Sequence, residues 1–156
     1  ISPGITVPTG TYNNEEMQWV FITNPNKPLS IGTRHVIGGF FGGRRNAHSG
    51  TIKARIGDKF NSEWGISYND ITLPDGDFTA ELYRARLTYS FTPRIFVQTL
   101  IQYNSTRDLW STNARLGWIE QANTGLFIVF NEVNTDGLIQ NRSFTVKYSK
   151  LLDVLR

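Results

Sequence analysis

The sequence predicts an all-β fold, an antiparallel up-and-down meander of about nine strands, and two observations support this. Apolar and polar residues alternate through one short segment after another, and turn-forming stretches separate the segments. Aromatic residues make up 13% of the chain and 14 residues are glycine, a composition that favours strands joined by many turns. No apolar run is long enough to predict a membrane-spanning helix.

The clearest element is a hairpin over residues 82–104. Its first half alternates between apolar or aromatic odd-numbered positions and even-numbered positions that include Arg84 and Arg86. A Thr92-Pro93-Arg94 turn follows, and the alternation resumes from 95 to 104. One face of the hairpin is thus apolar with aromatics near its ends, and the other is largely polar. This combination is typical of a hairpin in a transmembrane β-barrel.

The remaining elements follow in chain order. Residues 1–14 are rich in proline, glycine and asparagine and predict a loop or the remnant of an upstream region. The barrel segment is expected over 15–150 and a C-terminal tail over 151–156. Outside the hairpin, alternation predicts strands at 17–23, 29–41, 50–57, 62–69, 110–118 and 143–149, and an almost wholly apolar run predicts a further strand at 126–131.

The connections between these strands are predicted to alternate in length. Those at 24–28, 57–61, 91–94 and 120–125 look tight, whereas those at 42–49, 70–77, 104–109 and 132–141 look longer or more polar. Bacterial barrels have short periplasmic turns, longer external loops and an even number of strands. Nine strands therefore predict that this sequence is a fragment, with at least one further strand upstream.

Five segments resemble the C-terminal part of an uncharacterised family of bacterial outer-membrane proteins. They are LPDGDF at 73–78, YSFTPR at 89–94, LIQYNS at 100–105, NARLGW at 113–118 and LFIVFNE at 126–132. The resemblance covers residues 70–150 well and the first third loosely. Members of that family join an N-terminal domain similar to family 9 carbohydrate-binding domains to a β-barrel. The resemblance thus implies the C-terminal portion of an outer-membrane β-barrel, with any carbohydrate contact made by an N-terminal region that this sequence lacks.

If the barrel interpretation holds, the polar face lines a lumen and its cations attract anionic solutes or pair with Glu63 or Glu81. The candidate lumen residues are Lys53, Arg55, Arg84, Arg86, Gln98, Gln102, Asn113, Arg115 and Lys147. The candidate membrane-interface aromatics are Trp64, Tyr83, Tyr89, Phe91, Tyr103, Trp110, Trp118 and Tyr148. The plainer alternatives for the first set are a solvated sheet face or structural ion pairs within a plugged lumen. For the second set the alternative is the core of a soluble barrel or sandwich.

Other chemistry finds little support in the sequence. The absence of cysteine excludes disulfides and thiol catalysis, and the net charge of +3 is too scattered for a nucleic-acid site. His35 and His48 have no partner pattern for metal binding or catalysis, and Asp70, Asp75 and Asp77 fit turn chemistry better than a calcium loop. We therefore expect no enzyme, no cofactor and no metal.

The sequence thus predicts a porin-like membrane anchor or pore in the bacterial outer membrane. Its partner is the lipid bilayer, and a tie to carbohydrate binding or uptake belongs to the full-length protein. The alternative is a soluble, lipocalin-like barrel that binds a small apolar ligand. Alternation alone does not say which face of the sheet lies inside.

Overall fold

The computed structural model describes residues 5–121 and 124–150, which form a single antiparallel sheet of nine strands in sequence order. The predicted all-β meander is confirmed. The strands are β1 Glu16–Ile22, β2 Leu29–Phe40, β3 Gly43–Ile56, β4 Phe60–Leu73, β5 Gly76–Thr92, β6 Ile95–Asn104, β7 Leu109–Gln121, β8 Thr124–Thr135 and β9 Leu138–Ser149. A single 3-10 turn, Ser105–Arg107, joins β6 to β7. No helix in the described ranges has the length and apolarity to cross a membrane.

The predicted long connections at 42–49, 70–77 and 132–141 are wrong, because the strands run almost to the hairpin tips. Two residues alone join β2 to β3, β4 to β5 and β8 to β9. At Phe41-Gly42 and at Asp136-Gly137 both turn residues have positive φ, as a tight hairpin of this hand requires. The six-residue connection at 23–28 is longer than any of these, although it was expected to be tight. Loop length therefore does not distinguish the two ends of the sheet.

The strand registers divide the side chains between two faces. The apolar face includes Met17, Trp19, Phe21, Leu29, Ile31, Ile37, Ile52, Trp64, Ile66, Tyr83, Leu87, Tyr89, Val97, Ile101, Tyr103, Trp110, Leu116, Trp118, Ile128, Phe130, Phe144, Val146 and Tyr148. The polar face includes Gln18, Arg34, Arg45, Lys53, Arg55, Glu63, Arg84, Arg86, Gln98, Gln102, Asn113, Arg115, Asn131, Ser143 and Lys147.

The polar face is the less exposed side of the sheet. Of the buried residues, Ser30, Val36, Ile71 and Leu73 lie on it, whereas Ser62 lies on the apolar face. The hollows of the surface are lined mainly by polar-face side chains. On the apolar face, by contrast, Phe144 is 67% exposed and Trp118 is 50% exposed. Among the described residues the sheet has one layer and is not closed, since β1 pairs only with β2 and β9 only with β8.

Candidate functional site: a cationic hollow and an apolar outer band

All nine predicted lumen residues share the polar face. The register places Lys53 opposite Glu63 and Glu63 opposite Arg86, and it continues from Arg84 to Gln102 on β6. Arg115 on β7 lies opposite Gln98. Five strands thus bring these polar side chains to one surface, as the alternation predicted.

Glu63 is the centre of a small ion-pair cluster on this surface. Its Oε1 accepts a hydrogen bond from Nη2 of Arg84 at 2.9 Å, and its Oε2 lies 3.5 Å from Nζ of Lys53. The absence of a side chain at Gly65 leaves room for the Arg84 guanidinium, which lies over that position. The expectation that Glu81 also pairs with these cations is wrong. Glu81 lies on the apolar face and accepts a hydrogen bond from the hydroxyl of Tyr83.

The polar face has a clear excess of positive charge. On the described strands it presents eight cationic side chains and two carboxylates, Glu16 and Glu63. Glu16 forms an ion pair with Arg45. The cations are Arg34, Arg45, Lys53, Arg55, Arg84, Arg86, Arg115 and Lys147. A concave surface of one charge sign raises the local concentration of ions of the opposite sign, here anions.

A hollow of about 390 Å³ opens beside the ion-pair cluster. The charged residues Arg34, Lys53, Glu63 and Arg84 line it. The larger part of the lining is apolar and includes Val20, Ile22, Pro25 and Ile31. It has the size of a small-molecule pocket, but it is open rather than enclosed.

Arg115 is held by aromatic rings farther along the polar face. Its guanidinium carbon lies 4.4 Å from the ring centroid of Phe127 and 5.6 Å from that of Phe96. Gly117 makes room for the Phe96 ring, which passes directly over it. Such cation–π contacts fix a guanidinium in place while leaving its hydrogen-bonding edge free for other partners.

A ladder of hydrogen bonds crosses the last three strands on the same face. The side-chain amide of Asn113 donates to Oδ1 of Asn131, and Asn131 Nδ2 donates to Oγ of Ser143 at 3.3 Å. All three side chains are half-buried. The polar character of this face therefore extends from β2 to β9.

The eight predicted interface aromatics lie on the opposite, apolar side of the sheet. Tyr83, Tyr103 and Trp110 form a continuous stack on β5, β6 and β7, with centroids 6.2 and 4.7 Å apart. The hydroxyls of the two tyrosines donate to Glu81 and Asp108 at the end of the sheet nearer the 3-10 turn. Tyr89 packs edge-on against Phe91 at the other end of β5. Amphipathic rings with their polar atoms turned outward are typical of a membrane–water boundary.

The end of the apolar face that carries Glu81 and Asp108 is here called the upper end. The polar limit of the apolar face at this end, that is, the boundary between its apolar and its charged residues, runs obliquely across the strands. On β4 the first charged residue beyond the apolar ones is Asp70, whereas on β9 it is Arg142. The hydrogen-bonded row through Arg142 reaches β4 at Trp64, six positions before Asp70. Glu81 on β5 marks an intermediate position, since its row partner on β4 is Tyr68.

These positions give the angle between the strands and the apolar band. Glu132 on β8 lies in the same row as Arg142, so the shift of six residues at about 3.4 Å each extends over four to five strand spacings of about 4.8 Å and corresponds to a tilt of roughly 40–47°. Strands in transmembrane barrels are tilted by about 35–45° from the membrane normal. The lower aromatics shift in the same direction, because the row of Phe60, the lowest aromatic of β4, meets β7 at Leu116, while the lowest aromatic of β7 is Trp118.

The structure also pairs two residues that sequence reasoning left without partners. His35 on β2 lies directly opposite His48 on β3, and their ring centroids are 3.9 Å apart. The pairing follows from the two-residue turn at Phe41-Gly42, around which positions 35 and 48 are symmetric. Gly42-Gly43 in the sequence is compatible with a tight turn, but the predicted loop over 42–49 left His48 outside any strand.

No group of three or more histidine, cysteine, aspartate or glutamate side chains in the described ranges is arranged to hold a metal ion. Asp70 and Asp77, considered above as calcium ligands, lie within β4 and β5 rather than in a loop. The predicted tail at 151–156 and the first four residues lie outside the described residues. No protein-family model, curated protein or solved structure matches this chain.

Proposed function

We propose that this chain is a membrane-inserted part of an outer-membrane β-barrel, which anchors the protein in the bilayer and lines an aqueous lumen with its cationic face. The apolar face contacts acyl chains, and the polar face sets which solutes the lumen accepts. A tie to carbohydrate binding or uptake is supported by the family resemblance alone. In a bilayer, the free edges of β1 and β9 require further strands as partners, because unpaired backbone groups are costly in hydrocarbon.

The observation that supports this proposal best is the oblique polar limit of the apolar face. If a second protein layer covered the sheet, the apolar residues would follow whatever shape that layer has. A bilayer is a flat slab. Its surface meets neighbouring tilted strands at the same depth, and therefore at a residue position that shifts from one strand to the next. The shift of about 40–47° is close to the tilt that barrel closure imposes.

The height of the apolar band agrees as well. Trp110 and Trp118 lie eight positions apart on the apolar face of β7, with Thr112, Ala114 and Leu116 between them. Eight residues at about 3.4 Å, tilted by about 40°, span roughly 21 Å, close to the apolar band of about 25 Å in outer-membrane barrels.

Exposure favours this proposal over the soluble, lipocalin-like alternative. A barrel that binds an apolar ligand inside turns its apolar side chains toward the interior. Here Leu116 and Val146 are 39% and 57% exposed, whereas Arg115 and Asn113 lie half-buried on the polar side. The excess of cations on that side supports a preference for anionic solutes.

Single-cysteine scanning tests the proposal directly, since the native chain contains no cysteine. Ser111, Thr112, Asn113 and Ala114 on β7 are replaced by cysteine one at a time, labelled with an environment-sensitive fluorophore and reconstituted in lipid vesicles. Labels at 112 and 114 are expected to fluoresce in the blue and to be quenched by lipid-borne quenchers. Labels at 111 and 113 are expected to respond to aqueous iodide.

Two results would refute the membrane proposal. One is an alternation of the opposite sense, with 112 and 114 open to iodide. The other is a chain that stays monomeric and folded in buffer without detergent and does not partition into vesicles. Ser149→Cys, at the end of β9 on the polar side, serves as a control for labelling efficiency near the water phase.

A further inference from the structure

We propose that His35 and His48 form a two-imidazole binding site for a divalent late transition-metal ion, with Cu²⁺ as the preferred ion. The two residues face one another across the β2–β3 ladder. Their Nδ1 atoms are in hydrogen-bonding contact, 2.5 Å apart. In the described part of the chain neither ring has another hydrogen-bond partner, so both nitrogens are available to one ion.

The geometry requires little change to accept a metal. Imidazole nitrogens bind such ions at about 2.0–2.1 Å, so two cis ligands lie roughly 2.9–3.4 Å apart. The Nδ1 atoms must therefore separate by less than about 1 Å, which small side-chain rotations provide. Two neutral imidazoles that meet nitrogen to nitrogen share one proton. On metal binding that proton moves through solvent to Nε2 of its own ring, so that both Nδ1 lone pairs face the ion.

The surroundings define the kind of site. Trp19 and Tyr68 flank the pair in the same row, with ring centroids 5.4 Å from His35 and 6.4 Å from His48. In the described ranges no third histidine, cysteine or carboxylate completes the set, so water occupies the remaining positions. His48 is exposed, which leaves the ion open to exchange. Two imidazoles without thiolates favour Cu²⁺ over Zn²⁺ in the Irving–Williams order.

The site depends only on the β2–β3 register and not on the lipid proposal. Its position on the apolar face is near the upper limit of the band, one same-face position from Asn46 and Asp70. Water and headgroups would reach it there if the chain is inserted in a bilayer. A soluble sheet with the same register would present the same pair of nitrogens.

Titration with CuCl₂ tests the site, using the full chain in detergent micelles with calorimetry and electron paramagnetic resonance as readouts. We expect one ion per chain and nitrogen couplings from two imidazoles. Loss of an outer-shell partner typically weakens a metal site by about 10–100-fold, so loss of a direct ligand in His35→Gln or His48→Gln is expected to weaken binding by at least about tenfold. Asp70→Asn and Asn46→Gln are matched controls on the same face and are expected to bind as the native chain does.

The proposal fails if either histidine variant binds Cu²⁺ as tightly as the native chain, or if the double variant retains the same site. Electron spin-echo measurements on the native chain keep the test decisive if a variant does not fold. An absence of imidazole nitrogen modulation there would overturn the proposal by itself.

Discussion

Glu63 on β4 and Arg84 on β5 form a 2.9 Å ion pair on the polar face of the sheet. Glu63 also forms an ion pair with Lys53, so one carboxylate is paired with two of the cations that line the hollow. Their side chains are partly exposed, so the pair contributes at most about 1 kcal/mol to folding. Its larger effect is on the electrostatic potential of the face.

Glu63→Gln is therefore expected to increase the preference for anions and to change stability by less than about 1 kcal/mol. The removal of one negative charge leaves both cations without a counter-ion. The measurement is the reversal potential of the reconstituted protein across a potassium chloride gradient, which should shift toward the chloride potential. Glu132→Gln, which removes a carboxylate paired with Arg142 on the apolar face, is the matched control and should leave the selectivity unchanged. An equal shift in both variants would argue against a lumen lined by Glu63.

The oblique band predicts that residues in one hydrogen-bonded row lie at different depths. Ile66 on β4 and Asn134 on β8 belong to the same row, through Tyr83, Tyr103 and Trp110. Four strand spacings of about 4.8 Å at a tilt of about 40° separate them by roughly 12 Å along the membrane normal. Spin labels on Ile66→Cys and Asn134→Cys should differ in depth by that amount, with Ile66 the deeper. Equal depths would mean that the band runs parallel to the rows and that the tilt argument is wrong.

A cation at the middle of the apolar band is expected to be costly. Ala114 lies midway between Trp110 and Trp118, so Ala114→Arg should reduce the free energy of unfolding in lipid by about 2–4 kcal/mol. Asn113→Arg places the same charge on the polar face of the same strand and should cost far less. Denaturant titration in lipid vesicles measures both. Equal costs would contradict a lipid-facing position for Ala114.

Gly117→Ala tests the packing on the polar face independently of the membrane. A Cβ atom at Gly117 would lie 2.5 Å from the Phe96 ring, and the glycine does not have positive φ, so the clash and not backbone strain determines the effect. We expect a loss of about 1–3 kcal/mol. Phe96→Leu in the same chain should recover much of that loss, because the smaller side chain leaves room.

Gly32→Ala is the control for the Gly117 variants, because the nearest atom to a Cβ added at Gly32 lies 3.9 Å away on Ile22. It lies within a strand on the same face and should be close to neutral. A similar loss at Gly32 would show that strand glycines matter here for a reason other than the Phe96 ring.

The alternation of residue types predicted most of the fold, because a strand places successive side chains on opposite faces whatever its neighbours are. The number of strands, their meander order and the shared face of Arg84, Arg115 and the other candidate lumen residues all followed from that period. Polar strand ends were harder to predict. Arg44, Asn46 and Asp70 suggest loops when taken one by one, although in the structure they pair across β3 and β4.

Amino-acid order alone thus determined which side chains share a face. The tertiary structure decided which face is the more exposed, since alternation with a period of two is compatible with either face being covered. It also decided how far each strand is shifted against the next, and that shift brings His35 to His48 and makes the apolar band oblique. Register depends on turn geometry and on backbone pairing between distant segments, neither of which can be read from one strand by itself.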